Sequence, residues 1–137
     1  MYSKIRIEAL INRNSNLVWQ CWTTPEHIKK WNFASEDWCC PFASVELREG
    51  GRYCARMESK DGSMDFDFEG VYEKLIPGQE IVFLMGDGRR ATTSFEAIEE
   101  KTRVITVFDA EKENSEELQQ QGWLAILNQF NRHVESL

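Results

Sequence analysis

The chain has 137 residues, with 16 lysines and arginines against 23 aspartates and glutamates, a net charge of −7. That length suits one domain over residues 1–137, because two would each be too small to bury much core. The negative balance, with basic residues only singly or in pairs such as Lys29-Lys30 and Arg89-Arg90, argues against nucleic acid or an anionic membrane as partner.

No apolar run approaches the roughly 18 residues that span a bilayer. The opening "MYSKIRIEALINRN" is charged and alternating, unlike a signal peptide. A cytoplasmic protein with four free cysteines is the expectation.

Lys4–Asn12 alternates, with Ile5, Ile7, Ala9 and Ile11 on one side, which predicts a half-buried strand. Asn14 or Ser15 then caps a short helix in which Val18 and Trp22 share a side. Thr24-Pro25 starts a second short helix, since proline loses little at the first helical position.

Next comes "WNFASEDWCCPF" (31–42), which reads as an irregular linker between helix and sheet. Ligand contacts often come from linkers of this kind, so Trp31, Trp38 and Phe42 are candidates for an aromatic wall. Cys39 and Cys40 are adjacent, so in an extended chain they point opposite ways. That spacing fits neither a two-residue-spaced redox pair nor chelation of one metal. His27, His133, Cys21 and Cys54 lie far off in sequence, so no metal site is expected. One cysteine of the pair is expected to face inward as a small apolar side chain, and Cys39 is assigned to the wall. Glu36 and Asp37 disfavour a thiolate there.

A run of strands follows, broken at Gly50-Gly51, Lys60–Gly62, Pro77-Gly78 and Gly86–Gly88. The segment 63–76 alternates most clearly. Met64, Phe66, Phe68, Gly70 and Tyr72 share one face; Asp65, Asp67 and Glu69 share the other. The acids are expected outside. A bulge would turn Asp65 or Asp67 inward, where a carboxylate has a raised pKa. Met57 and Met85 add adaptable apolar surface.

Asn114 and Glu117 resemble a capping box opening a helix of about 22 residues, roughly 33 Å long. Its stripe is Leu118, Gly122, Trp123, Ile126, Leu127, Phe130 and Val134. Trp123 and Leu127 are candidate lining residues, and Gly122 either leaves room there or packs closely on a strand. His27 is expected near the cavity mouth, without a catalytic role.

The predicted class is therefore α+β: about six or seven antiparallel strands wrapped round a long C-terminal helix, with two short helices after the first strand. This order, and the strings "VWQCWTTPEHIKKW" (18–31), "ELREGGRY" (46–53), "FEGVYEKLIPGQEIVF" (68–83) and "QGWLAILNQFNRHVE" (121–135), resemble the START-like (SRPBCC) superfamily. Within it they look most like the group named for the activator of heat-shock protein 90 ATPase, often described as polyketide-cyclase-like.

The resemblance implies a helix-grip fold with an internal cavity. The superfamily contains carriers of lipids and small apolar molecules, cyclases, hydroxylase domains and co-chaperone modules, with no shared catalytic signature. Two functions are expected. The first is binding of a small apolar or aromatic molecule, with Trp31, Trp38, Cys39, Phe42, Met57, Phe66, Phe68, Met85, Trp123 and Leu127 as ligand contacts, and cyclase-like chemistry as its extension. The alternative is a protein-interaction module that regulates a chaperone ATPase. No paired catalytic groups are visible in the sequence, so binding is favoured over catalysis. No cofactor is implied, and the chain is expected to be a monomer or homodimer.

Overall fold

The computed structural model describes residues 2–137. Strand β1 (Lys4–Ile11) is followed by helices α1 (Ser15–Thr23) and α2 (Pro25–Trp31). Then come β2 (Trp38–Val45), β3 (Arg52–Ser59), β4 (Asp65–Ile76), β5 (Glu80–Met85), β6 (Arg90–Ile98), β7 (Lys101–Asp109) and the long helix α3 (Glu116–Glu135). The strands form one antiparallel sheet in the order β1-β7-β6-β5-β4-β3-β2. Hairpins join β2 through β7 in sequence, and the first strand returns to pair with the last.

The local signals act largely as their chemistry requires. Ile5, Ile7 and Ile11 are buried while Lys4, Arg6 and Glu8 are exposed. The Asn14 side chain accepts a hydrogen bond from the Leu17 N–H, and Pro25 opens α2. Gly62, Gly78 and Gly88 adopt positive φ, each at or just after a tight turn between strands, where a Cβ would be strained. Gly70 has a different role. A Cβ there would press into the Leu84 carbonyl oxygen and the Phe83 ring, so the absent side chain lets β5 close on β4.

Two expectations change. Ser115, not Asn114, caps α3, its hydroxyl accepting from the Leu118 N–H. The third helical position is then Leu118 rather than Glu117, so no capping box forms. Leu118 is exposed, and α3 has 20 residues. The segment 31–42 is also not a linker throughout. From Trp38 it is β2, an edge strand whose pairing with β3 slips between Cys39 and Phe42.

Curvature follows from what must be covered. Six strands lie about 24 Å across at about 4.8 Å per strand, wider than a helix of roughly 10–12 Å. Yet residues of β1, β7, β6, β5, β4 and β3 all border one space that α3 also borders. The sheet therefore curls round the helix. The core runs along the concave side through Phe95, Val104, Phe108, Leu127 and Phe130.

Candidate functional site: an aromatic cavity and a helical joint

Between sheet and helix lies a cavity of about 290 Å³. Its walls come mainly from alternate residues of neighbouring strands: Tyr53 and Met57 of β3, Phe66, Phe68 and Tyr72 of β4, Ile81 and Phe83 of β5. Trp22 and Trp31 close it from the short helices, and Trp123, Ile126 and Leu127 from α3. The strict alternation of β4 places Phe66, Phe68 and Tyr72 inside and leaves Asp65 and Asp67 outside. There both pair with Arg56, at 3.2 Å each. Neither acid turns inward.

The aromatic rings hold one another in place. Trp123 stacks on Phe108 with centroids 3.8 Å apart, and its edge meets Phe68. Tyr53 makes edge-to-face contacts with Phe68, Tyr72 and Phe83. The edge-to-face pairs follow the ring quadrupoles, whereas the near-parallel Trp123–Phe108 stack does not. Phe66 is about half exposed and stands at the mouth of the cavity.

Of the ten expected ligand contacts, Trp31, Met57, Phe66, Phe68, Trp123 and Leu127 border the cavity. Trp38, Cys39, Phe42 and Met85 do not. Trp38 starts the edge strand β2, beyond the six strands that face the space, and packs against Phe66 instead. The slip in β2 leaves Phe42 54% exposed and Cys39 partly buried, while Cys40 takes the interior position. Met85 is buried opposite Gly70 and packs into the core. Burial pushes the Cys40 thiol up to about 11, which makes it inert at neutral pH.

Sequence reasoning missed the polar part of the lining. Asn32 Nδ2 donates to Tyr53 Oη at 3.2 Å, and the Thr93 and Thr106 hydroxyls share a bond at 2.9 Å. Tyr72 Oη is buried without a protein partner. Burial pushes the Tyr72 phenol up, and burial with Tyr72, Cys40 and Cys54 nearby raises that of Tyr53. Both stay protonated and able to donate. Arg89 also borders the space, with its guanidinium held by Asp87 and the Asp109 carbonyl. The alternation of β4 placed Tyr72 on the inner face, but nothing local to it marks an unpaired hydroxyl.

The short helices meet α3 at a second cluster. His27 of α2 and His133 of α3 approach through Nδ1 and Nε2 at 2.9 Å. Cys21 of α1 completes a group whose donor atoms all lie within 4.8 Å of one another. Burial, then the neighbouring His27 and Lys30, lower the His133 pKa; burial raises that of Cys21. His27 thus faces this joint, not the cavity mouth. The expectation of no metal site rested on linear spacing, which did not foresee this convergence.

A curled antiparallel sheet gripping one long C-terminal helix, with two short helices at one end, is the helix-grip architecture of START-like proteins. The family model described as activator of Hsp90 ATPase homolog 1-like protein matches residues 12–135. The chain belongs to that family. An AHSA1-like protein from Aeromonas hydrophila, solved in solution, is 40% identical with a TM-score of 0.93, over 98% of this chain and 93% of that one. A protein from Cytophaga hutchinsonii is 41% identical with a TM-score of 0.84, over 97% and 92%. One from Nitrosomonas europaea, at 19% identity and a TM-score of 0.83 over 97% and 94%, shares the fold. No curated protein matches the chain. Among the described residues, no helix is long and apolar enough to cross a membrane.

Proposed function

We propose that the cavity binds a small, largely apolar molecule carrying an oxygen that accepts hydrogen bonds. The observation that carries this reading is a largely apolar cavity with Tyr72 among its lining residues, the hydroxyl of which is buried without a protein partner. A buried donor left unmatched costs about 1–3 kcal/mol, which a ligand acceptor recovers. Tyr53, whose oxygen already accepts from Asn32, keeps its own proton free for the same ligand. The volume is near the lower end for small-molecule sites, which suits a compact ring system better than a long chain. Cyclase-like chemistry, as an extension, would rely on these two phenols, since among the described residues the lining contains no carboxylate or imidazole. A cytoplasmic location fits the four free thiols.

Thermal unfolding against a panel of aromatic, polyketide-like and fatty compounds tests the reading. A ligand at 100 times its dissociation constant adds about 2.7 kcal/mol. Tyr72→Phe should weaken acceptor-bearing ligands and spare their hydrocarbon analogues. The reading fails if no compound shifts the transition.

Regulation of a chaperone ATPase is a second reading, supported by the family description. Its docking surface would be the outer face of β3 and β4, where Arg56 alone offsets Glu58, Asp65 and Asp67. Capture of heat-shock protein 90 that weakens with salt would support it.

A further inference from the structure

We propose that Cys21, His27 and His133 form a binding site for a divalent transition metal ion of the zinc class, with a fourth position left for water or an exogenous ligand. Each donor comes from a different helix, and the two histidines are 106 residues apart in the chain. The imidazoles are not stacked. Their planes are tilted by 57° with the two nearest nitrogens 2.9 Å apart, which puts one ring nitrogen of each beside the other. Cys21 is fully buried and places its sulfur within 4.8 Å of the histidine nitrogens.

The donor set selects the metal. Two imidazoles and a thiolate suit zinc, cobalt and copper, whereas calcium and magnesium demand oxygen ligands. With Zn–N of about 2.0–2.1 Å and Zn–S of about 2.3 Å, tetrahedral geometry needs N···N near 3.3 Å and S···N near 3.6 Å. The histidine pair must open by about 0.4 Å and the sulfur close by at most about 1.2 Å, both small side-chain rotations on that metric. On binding, the Cys21 S–H proton leaves to solvent as the sulfur–metal bond forms. Three protein ligands and one open position is the count found in reactive rather than purely structural zinc sites.

The position gives the ion a consequence for the cavity. Trp22 and Trp31, on the helices that carry Cys21 and His27, form part of the cavity wall. An ion at the joint clamps both helices to the last turns of α3. The competing account is a plain hydrogen bond between the two imidazoles, with Cys21 as packing.

Full-length protein stripped with a chelator and titrated with cobalt(II), then zinc(II), separates the two. The expected result is one cobalt per chain, with a sulfur-to-cobalt charge-transfer band that zinc abolishes. Cys21→Ala should lose that band, and His27→Gln and His133→Gln should each weaken binding at least tenfold. Cys54→Ala should change nothing. Zinc should raise the melting temperature of the wild type but not of His27→Gln. Should Cys21→Ala fail to fold, the two histidine variants decide alone. Absence of stoichiometric cobalt binding, a band that survives in Cys21→Ala, or unchanged affinity in both histidine variants overturns the site.

Discussion

The two halves of α3 carry the same apolar stripe and meet different surroundings. Toward the C-terminus, Phe130 and Val134 are fully buried, and Phe130 takes edge-to-face contacts from both Trp22 and Trp31 at 4.9 and 4.8 Å. Toward the N-terminus, Trp123 and Ile126 are partly buried beside the cavity, and a Cβ on Gly122 would touch nothing within 4 Å. Helices pack at one end and a curled sheet arches over the other. Close-packed interiors tolerate few voids, so the space at the arched end is built by the curvature of the sheet and not by missing side chains.

Polar bonds anchor the open half where packing does not. Gln119 is buried and bridges Glu111 and Asn114 through both ends of its amide. Just before that loop, buried Asp109 accepts from Lys4 and from the Arg90 N–H. Gln119 thus ties the first turns of α3 to the loop before it, and Asp109 ties the end of β7 to β1 and β6.

The contrast breaks most sharply at Phe130. Phe130→Ala should cost about 3–5 kcal/mol in denaturant unfolding, as for other fully buried aromatics. Trp123→Ala, beside existing space, should cost clearly less despite removing a larger side chain. Equal losses would mean that both halves are packed alike.

An intermediate effect tests the polar anchor. Burial opposes ionisation of Asp109, yet the Lys4 ammonium and the Arg90 N–H hold its pKa below the ordinary value. A carboxylate lowered on folding stabilises above the unfolded value of about 3.9 and loses that contribution as pH falls through the depressed one. Asp109→Asn should therefore cost about 1.5–3 kcal/mol at neutral pH. The gap from the wild type should close in acid, as read from urea unfolding at several pH values. A gap independent of pH would remove the charge from the account. The smallest effect is a gain: Gly122→Ala should stabilise by about 0.4–1 kcal/mol, because alanine restores helix propensity and meets open space. A loss of melting temperature would show that the open half is tighter than the geometry of Gly122 indicates.

Legibility from sequence followed the range of the interaction involved. The period-2 pattern of β4 placed Phe66, Phe68, Asp65 and Asp67 on their correct faces, because a pleated strand alternates whatever packs on it. The same rule could not place Trp38 and Phe42. A slip in β2 reverses side chains locally, and an edge position takes Trp38 past the helix. Met85 was read as cavity surface because inward-facing and cavity-lining look identical along one strand. The capping of α3 moved by one residue, since Asn114 and Ser115 both have the chemistry of a cap and only the backbone path chooses.

By itself the sequence determined the class of this protein: alternation, capping residues and turn glycines specify a strand, two short helices, six further strands and one long helix, all through contacts within a few residues. Tertiary structure alone decided what those elements enclose. It left the Tyr72 hydroxyl buried without a protein partner beside a largely apolar cavity, and it brought Cys21, His27 and His133 from three helices to within 4.8 Å of one another. Neither arrangement has a local signature, because each is a distance between residues that only the curvature of the sheet and the docking of α3 bring together.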